Sequence, residues 1–380
     1  MRQTSSVIST YSTDVFGVCS ALFELGGMVV MHDASGCNST YTTHDEPRWY
    51  DMESMVYISG LSEMEAIMGD DEKLILDIIT AANELKPKFI ALAGTPIPMM
   101  TGFDYTAAAN VIEARSGIPA LGFSTGGMGT YISGASMAFD GIVRRFMDKN
   151  VKKSEYRSAN ILGLTPLDFS VNGEEKSIAA FLESSGFSLN CSLAMGCDID
   201  DIKNIGAAHV NLVVSSAGLL AAKTLFENFG TPYVIGTPTG KKYSDQLRRA
   251  LDKAVSSCEN IVCKNDEALG GDIVIIGEGV RSLSLASAIE LETGKGTKVS
   301  CATECEASLL RDKDAVLHDE DYILDFIKDA SVVIADPLYR RIVPEGAKFI
   351  PLPHEAFSGR IYRRSIPDLA KDAQTIISEV

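Results

Sequence analysis

The stretch GGDIVIIGEGVRSLSLASAIELETG, residues 270–294, contains the pattern that decides the fold. A glycine pair precedes the apolar run Ile273–Ile276, a glycine-containing turn follows it, and Leu283–Glu292 continues with helical periodicity. Short runs of β-branched and aliphatic residues bounded by glycine or aspartate are typical of buried parallel strands. A strand that is followed by a turn and a helix is the repeating unit of an open α/β sheet.

The same pattern recurs along the chain. It predicts strands at Met28–Met31, Phe89–Ala93, Ala120–Phe123, Asn160–Leu164, Val210–Val214, Tyr233–Ile235, Ile273–Ile276, Val299–Cys301, Val332–Ala335 and Lys348–Ile350. It predicts helices between them, at Asp71–Leu85, Thr106–Arg115, Ala217–Phe229 and Leu283–Glu292. We therefore expect an α/β protein with three Rossmann-like lobes built on parallel sheets, at residues 1–155, 156–268 and 269–380.

Composition narrows the function classes. The 380 residues include 34 Lys and Arg against 51 Asp and Glu, which gives a net charge of −17. This charge argues against binding to nucleic acid through phosphate contacts and against adhesion to an anionic membrane. The first residues are polar, and no run of about 18 uninterrupted apolar residues occurs. We expect a cytoplasmic protein that does not span a membrane.

Two glycine-rich segments allow a functional and a structural interpretation. Gly277–Ser282 resembles a dinucleotide fingerprint, but Ser282 replaces its third glycine, and no P-loop is present. We expect this segment to be a tight turn and the chain to bind neither NAD(P) nor ATP tightly. Gly122–Gly129 is either a loop that needs positive φ angles or a backbone that approaches a cofactor.

Among the eight cysteines, Cys19 and Cys37 are the candidates for metal binding. Cys37 follows a predicted strand in a polar loop, where a thiolate is a plausible soft ligand for iron. Cys19 shares one helical face with Val15, Val18 and Leu22, so it is either a core residue or a ligand. The pairs Cys301 and Cys305, and Cys258 and Cys263, are expected to be small apolar core residues and not ligand pairs.

Ligands of open α/β sheets bind outside the carboxyl ends of the strands. Three further polar residues occupy such positions and are therefore weak candidates for a substrate pocket: Ser215, Asp336 and His354. His354 lies between Pro353 and Glu355 after the last predicted strand, which makes it the strongest candidate for function among the histidines. Either His354 or Asp336 could act as the acid that supplies protons.

The order of several motifs resembles the component 1 superfamily of nitrogenases and nitrogenase-like reductases. His32–Cys37 is similar to its His-Gly-x-x-Gly-Cys loop, whose cysteine ligates an iron–sulfur cluster. Further segments similar to the family pattern are Glu65–Asp70, Thr101–Asp104, Ala208–Val213 and Phe229–Tyr233. The resemblance extends over most of the chain and implies the same three-lobed fold.

The chain departs from the family pattern at three positions. The other two cluster cysteines of the first lobe would fall on Ser12 and Pro96, and the cysteine that anchors the iron–molybdenum cofactor would fall at Ser215. No iron–molybdenum cofactor is therefore expected. The compact chain is more similar to the family's reductases that act on tetrapyrroles.

The resemblance implies that the chain is the catalytic component of a two-component ATP-dependent reductase. Such an oxidoreductase is expected to work under anaerobic conditions. An iron-protein-like ATPase would deliver electrons to a 4Fe–4S cluster at the interface of a homodimer. Cys37 from each subunit would ligate the cluster, with Cys19, Asp33, Ser12 or another group completing the ligands. The substrate would be a small molecule.

Two other function classes remain open. One is a scaffold that receives or passes on a cluster or cofactor, as the maturation members of this family do. The other is a small-molecule-binding α/β protein without redox chemistry. Turnover that depends on the partner separates the reductase from the scaffold, and the colour of anaerobically purified protein separates both from the binding protein.

Overall fold

The computed structural model describes residues 5–7, 10–34, 36, 38, 45–267 and 269–380. Three parallel β-sheets follow one another along the chain, with helices between the strands. This confirms the predicted α/β fold with three Rossmann-like lobes. The lobe boundaries at residues 155 and 268 stay predictions.

The three sheets have four, five and five strands. The first sheet, in the order β2-β1-β3-β4, contains β1 (Met28–His32), β2 (Met55–Ile58), β3 (Ile90–Gly94) and β4 (Ala120–Phe123). The second, in the order β6-β5-β7-β8-β9, contains β5 (Ser158–Leu162), β6 (Ser188–Leu193), β7 (Val210–Val213), β8 (Tyr233–Ile235) and β9 (Ile261–Val262). The third, in the order β12-β11-β10-β13-β14, contains β10 (Ile273–Gly277), β11 (Thr297–Cys301), β12 (Ala315–Val316), β13 (Val332–Ala335) and β14 (Lys348–Pro351).

Helices connect these strands. Those of the first lobe are α1 (Asp14–Leu22), α2 (Glu63–Met68), α3 (Asp71–Leu85), α4 (Pro96–Thr101), α5 (Tyr105–Ser116) and α6 (Tyr131–Phe146). Those of the second are α7 (Pro166–Phe169), α8 (Glu174–Ser184), α9 (Ile199–Lys203), α10 (Leu219–Phe229) and α11 (Lys241–Ser257). Those of the third are α12 (Gly279–Thr293), α13 (Glu320–Ile327), α14 (Glu355–Ser358) and α15 (Leu369–Glu379). Within the described ranges, every helix is too short or too polar to cross a membrane.

Helices α1 and α6 pack with their backbones in close contact, and glycine makes this possible. A Cβ at Gly17 would lie 2.0 Å from the carbonyl oxygen of Tyr131, and one at Gly134 would lie 1.7 Å from that of Asp14. No other residue type fits at either position without moving a helix. This contact fixes the start of α6, and with it Tyr131.

Residues that follow strands of the second and third sheets meet beside the start of α6. We call this place the lobe junction and define it by Tyr131, Asp168, Ser215, Glu278 and His354. Asp168 and Ser215 come after β5 and β7, while Glu278 and His354 come directly after or shortly after β10 and β14. The carboxyl ends of parallel strands are where ligands of such sheets bind, so the fold places polar chemistry at the expected edge.

Candidate functional site

The first candidate region is the loop after β1, where the side chain of Asp33 is almost fully buried. Its carboxylate accepts hydrogen bonds from Asn38 Nδ2 at 2.9 Å and from Thr95 Oγ1 at 3.0 Å. The backbone N–H of Asp33 donates to Ser59 Oγ at 3.1 Å. Asp33 is therefore held firmly beside the start of α4. Cys37, the predicted cluster ligand, lies outside the described residues.

His32, at the end of β1, is a neutral histidine under most conditions. Its Nδ1 lies 2.8 Å from Ser59 Oγ, and its ring packs on Phe103 with the centroids 4.6 Å apart. Burial lowers the pKa of His32 to about 4, although Asp33 and Glu65 act in the opposite direction. Because it is uncharged near neutral pH, His32 adds no positive charge to this loop.

The structure places Cys19 and Ser12 in the first lobe, both buried. Cys19 lies in α1 among apolar side chains, and burial, followed by the charge of Glu46, holds the pKa of its thiol well above the usual range. Metal binding to Cys19 would have to displace this proton from the core. The backbone of Ser12 donates to the carbonyl of Ala356 at 3.0 Å and accepts from the N–H of Tyr131 at 3.2 Å.

The glycine-rich loop before α6 is anchored by Asp14. The two carboxylate oxygens of Asp14 accept hydrogen bonds from the backbone N–H groups of Gly126 at 3.0 Å and Gly127 at 2.8 Å. Gly127 has a φ of +70°, a backbone conformation that residues other than glycine rarely adopt. The loop is thus tied into the first lobe by its own contacts, which supports the structural interpretation of these glycines.

The second candidate region is the lobe junction, where Asp168 is the centre of a buried network. Its Oδ1 accepts a hydrogen bond from the Tyr131 hydroxyl at 2.5 Å, and its Oδ2 accepts one from Ser215 Oγ at 2.6 Å. His354 Nε2 lies 3.3 Å from Asp168 Oδ1. One carboxylate is therefore surrounded by three side chains that can carry a proton.

The orientation of His354 follows from its other ring nitrogen. His354 is the N-cap of α14, and its Nδ1 accepts a hydrogen bond from the backbone N–H of Ala356 at 3.3 Å. In the neutral ring the proton must then sit on Nε2, which faces Asp168. The ring also stacks on Phe357, with the centroids 4.4 Å apart. The ring of His354 is consequently fixed with Nε2 near Asp168, although Nε2 is buried and makes no hydrogen bond among the described residues.

Asp336 supports His354 from the backbone side. Its Oδ2 accepts hydrogen bonds from the backbone N–H of His354 at 2.9 Å and from Ser358 Oγ at 2.8 Å. Burial raises the pKa of Asp336, against the effect of these hydrogen bonds. The structure thus brings the two predicted acids together, with Asp336 acting on the position of His354 and not facing Asp168 itself.

Burial also shifts the other acids of the junction. It raises the pKa of Tyr131 well above its ordinary value, with the charge of Asp168 adding to the effect, and it raises the pKa of Glu278. Glu278 accepts hydrogen bonds from the backbone and hydroxyl of Ser216 at 2.9 and 2.6 Å. A raised pKa favours the protonated form of each of these groups.

Arg281 and Glu174 form a buried ion pair next to the junction. The guanidinium contacts both carboxylate oxygens at 3.1 Å and lies over the ring of Phe169 at 4.2 Å. Burial raises the pKa of Glu174 to about 7 although Arg281 lowers it. A cavity of about 20 Å³ beside Glu278, Arg281 and His354 has the volume that one water molecule needs.

The structure brings the sequence-predicted residues Ser215, Asp336 and His354 together, and it places beside them Asp168 and Tyr131, which were not predicted. Asp168 follows β5, so the rule that selected the other strand-end residues would have found it. Tyr131 carries no such signal, because it is the first residue of a helix and only the packing of α6 directs it into the junction.

Comparison with known proteins now defines the class. A family model described as "Nitrogenase component 1 type Oxidoreductase" matches residues 13–294. This match covers well over half of the chain, so the chain belongs to the nitrogenase component 1-like superfamily of oxidoreductase type. The resemblance drawn from the sequence motifs is confirmed.

Individual relatives narrow the comparison. One subunit of the light-independent protochlorophyllide reductase of Zygnema circumcarinatum is 24% identical over 280 residues, covering 63% of this chain and 53% of that protein. The corresponding protein of Chlorokybus atmophyticus is 26% identical over 210 residues, covering 46% and 40%. The nitrogenase iron-molybdenum cofactor biosynthesis protein NifE of Clostridium pasteurianum is 27% identical over 180 residues, covering 47% and 38%. The chain thus spans about half or less of these relatives.

A solved structure supports the fold. The structure titled "Nitrogenase Cp1 at pH 6.5" superposes with a TM-score of 0.72 and 15% identity, over 100% of this chain and 93% of that chain. At this identity the likeness concerns the fold alone.

Proposed function

We propose that this chain is the catalytic, electron-accepting component of a two-component ATP-dependent reductase that acts in the cytoplasm. The observation that carries the proposal is the network around Asp168, in which Tyr131, Ser215 and His354 surround one buried carboxylate. A reduction that takes up protons needs such donors near its substrate. A scaffold that only carries a cluster has no use for them.

The cluster is the part of the proposal that depends on a second chain. Within the described ranges, His, Cys, Asp and Glu side chains form no group of three or more that could hold a metal ion. One chain offers Cys37 by sequence and the nearby carboxylate of Asp33, and a twofold axis would double both. When bound, a 4Fe–4S cluster accepts and passes on single electrons at low potential. The protonated, core-packed thiol of Cys19 favours Asp33 over Cys19 as the second ligand.

An exposed apolar surface next to Asp33 supports the homodimer. We call it the methionine surface and define it by Met64, Ile67, Met68, Met100 and Met128, which are 68 to 81% exposed. Helix α2 has no buried residue, and α2 contacts α4. Met128 is close by, because its neighbour Gly127 packs on the first residue of α4.

We propose a second copy of the chain as the occupant of the methionine surface. Contiguous exposed apolar patches mark interaction sites. The twofold partner is the occupant that also completes the cluster ligands beside Asp33.

The residues of the lobe junction would supply the protons. Tyr131 and His354 hold transferable protons on atoms that face Asp168, and the carboxylate of Asp168 can accept from one and return to another. Asp336 positions His354 through its backbone N–H. Because the cavity beside His354 measures only about 20 Å³, a tetrapyrrole or any other substrate of that size could bind there only if the lobes separate.

The experiment is partner-dependent turnover. Anaerobically purified protein is mixed with the iron-protein-like ATPase of its own cell, magnesium ATP, dithionite and candidate tetrapyrroles. Loss of the tetrapyrrole absorption should require both ATP and the ATPase. Iron-containing protein that shows no turnover with any tetrapyrrole, and whose cluster the ATPase does not reduce, would contradict the reductase.

The similarity to NifE favours one alternative, a scaffold for a cluster or cofactor. A scaffold would release or transfer iron to an acceptor protein without consuming a substrate. Iron analysis of the chain and of the acceptor after mixing distinguishes the two functions, since a reductase keeps its cluster through many turnovers.

A further inference from the structure

The part of the chain that the structure describes contains two pairs of neighbouring thiols. Cys191 and Cys197 are both buried, and contact with Cys197 is the first cause that raises the pKa of Cys191. Cys301 is fully buried, whereas its neighbour Cys305 is only half-buried. The two pairs therefore differ in whether a solute can reach one of the sulfur atoms.

Cys301 and Cys305 converge on one point at the start of α12. A Cβ built on Gly279 would lie 3.3 Å from the Cys301 sulfur and 2.6 Å from the Cys305 sulfur. Only glycine leaves room for both sulfur atoms there. The Cys301 thiol donates to the carbonyl of Thr303 at 3.3 Å, and the Cys305 thiol donates to that of Glu306 at 3.7 Å. Both thiols are thus held on the same short segment.

We propose that Cys301 and Cys305 form a thiol–disulfide exchange site that reacts with small soluble disulfides such as oxidised glutathione. The thiolate of Cys305 attacks one sulfur of the disulfide, forms a mixed disulfide and releases the first small thiol. Cys301 then attacks the Cys305 sulfur, forms the Cys301–Cys305 bond and releases the second. The pair loses two electrons and two protons, and these convert one small disulfide into two thiols.

The environment of the pair supports this order of events. Contact with the Cys305 thiol is the first cause that raises the pKa of Cys301, followed by burial. Cys301 therefore stays protonated while Cys305 is a free thiol. The half-buried Cys305 is the thiol that a dissolved disulfide can reach, so it attacks first, and the buried Cys301 beside it resolves the mixed disulfide.

The residues on either side of Cys305 connect the third lobe to the other two. Glu304 accepts hydrogen bonds from the backbone N–H of Thr130 at 2.9 Å and from its hydroxyl, and Glu306 pairs with Lys223. Thr130 is the N-cap of α6, directly before Tyr131. Closing the disulfide would pull on this segment, so the redox state of the pair would be felt at the lobe junction.

The test is a thiol titration of the full chain. Reduced protein is incubated anaerobically under native conditions with glutathione buffers of increasing potential, quenched in acid, unfolded and alkylated. Trypsin would release Cys301 and Cys305 in one peptide, residues 299–311, and Cys191 and Cys197 in another, residues 177–203. We expect the first peptide to become lighter by two hydrogens and unalkylated, while the second still carries two alkyl groups at the same potentials.

Variants make the order of attack testable. Cys301→Ser should accumulate glutathione on Cys305, and Cys305→Ser should leave Cys301 reduced. If Cys301→Ser does not fold, Cys305→Ser, a change at a half-buried position, still tests the site. Cys258→Ser, which removes an exposed cysteine, is the matched control and should leave the oxidation of 299–311 unchanged. A peptide 299–311 that stays doubly alkylated, or a pair at Cys191 that oxidises equally readily, would overturn the proposal.

Discussion

Asp33, directly after β1, and the lobe junction are both polar and buried, but they differ in whether one chain supplies all the groups that their chemistry needs. At the junction, Asp168 already accepts hydrogen bonds from Tyr131 and Ser215 within one chain, with His354 Nε2 3.3 Å away. In the loop after β1, Asp33 has neutral partners, and the surface beside it is exposed and apolar. Chemistry that needs protons can thus be built inside one chain, whereas a shared cluster requires a second one.

The largest effect is expected from replacing Cys37, the predicted cluster ligand that follows β1 in the sequence. Cys37→Ala should remove the iron of anaerobically purified protein, which should otherwise be brown with roughly four irons per dimer. The measurement is iron analysis together with the visible spectrum. Cys258→Ala and Cys301→Ala are the controls and should keep the iron. Full iron retention in Cys37→Ala would show that this loop does not hold a cluster.

The second prediction concerns the hydrogen bonds that Asp168 accepts at the lobe junction. Asp168→Ala leaves the buried hydroxyls of Tyr131 and Ser215 without their acceptor, so the free energy of unfolding should fall by about 3 kcal/mol or more. Urea denaturation measures this loss. Asp168→Asn should cost less, because its amide oxygen still accepts one hydrogen bond, while substrate turnover should still drop about 100-fold.

The control for the junction is Asp252→Ala, which breaks an exposed ion pair with Arg157. Such pairs contribute little, so a change within about 0.5 kcal/mol is expected. Equal losses in Asp168→Ala and Asp252→Ala would mean that the network does not stabilise the junction.

The third prediction concerns pH and separates the two regions. The pKa of His32 is lowered to about 4 in the folded chain, from an ordinary value of 6.5. Between these values the unfolded chain binds more protons than the folded one, so His32 makes stability fall as the pH decreases. The full effect, reached below pH 4, is up to about 3 kcal/mol. His32→Gln should flatten this part of the pH profile of urea unfolding.

Glu174, next to the junction, affects the pH dependence of stability in the opposite direction. Its pKa is raised to about 7, so its contribution to stability is lost as the pH rises through that value. The informative quantity is therefore the difference between His32→Gln and the unmodified chain at each pH. His209→Gln, at a half-buried position, is the control and should leave most of the profile intact. Parallel curves for His32→Gln and the unmodified chain would refute the assignment.

The central strands were predictable from sequence, but most edge strands were not. All ten predicted strands are present with ends within two residues, while β2, β6, β9 and β12 were missed. Each of the four lies at the edge of its sheet. Edge strands are partly exposed, as the mixed burial of β2 shows, so they lack the continuous apolar run of a central strand.

The candidate site divides in the same way. The nearness of Asp336 and His354 to strand ends was predictable because they follow β13 and β14 within a few residues, and Asp168 would have been selected by the same rule. The nearness of Cys301 and Cys305 at Gly279 was not predictable, because it depends on how β11 and α12 are placed relative to each other. The local sequence predicts where a strand ends, but it does not predict which side chains from other elements lie next to that end.

The smallest effect is expected at the methionine surface, and it tests whether the region around Asp33 needs a second chain. Met100→Glu places a charge on an 81% exposed apolar position and should weaken the homodimer at least tenfold, about 1.4 kcal/mol, without unfolding the chain. Analytical ultracentrifugation over a range of protein concentrations measures this shift. Tyr322→Glu, at a 68% exposed position in α13 of the third lobe, is the matched control.

The iron content of the protein is measured together with the amount of dimer. If the cluster is shared across the methionine surface, Met100→Glu should lose iron in proportion to the loss of dimer, whereas Asp168→Asn should keep both. A dimer that is unaffected by Met100→Glu but is weakened by Tyr322→Glu would place the interface on the third lobe. The cluster ligands would then have to come from a single chain. The region around Asp33 would no longer differ from the lobe junction in needing a second chain.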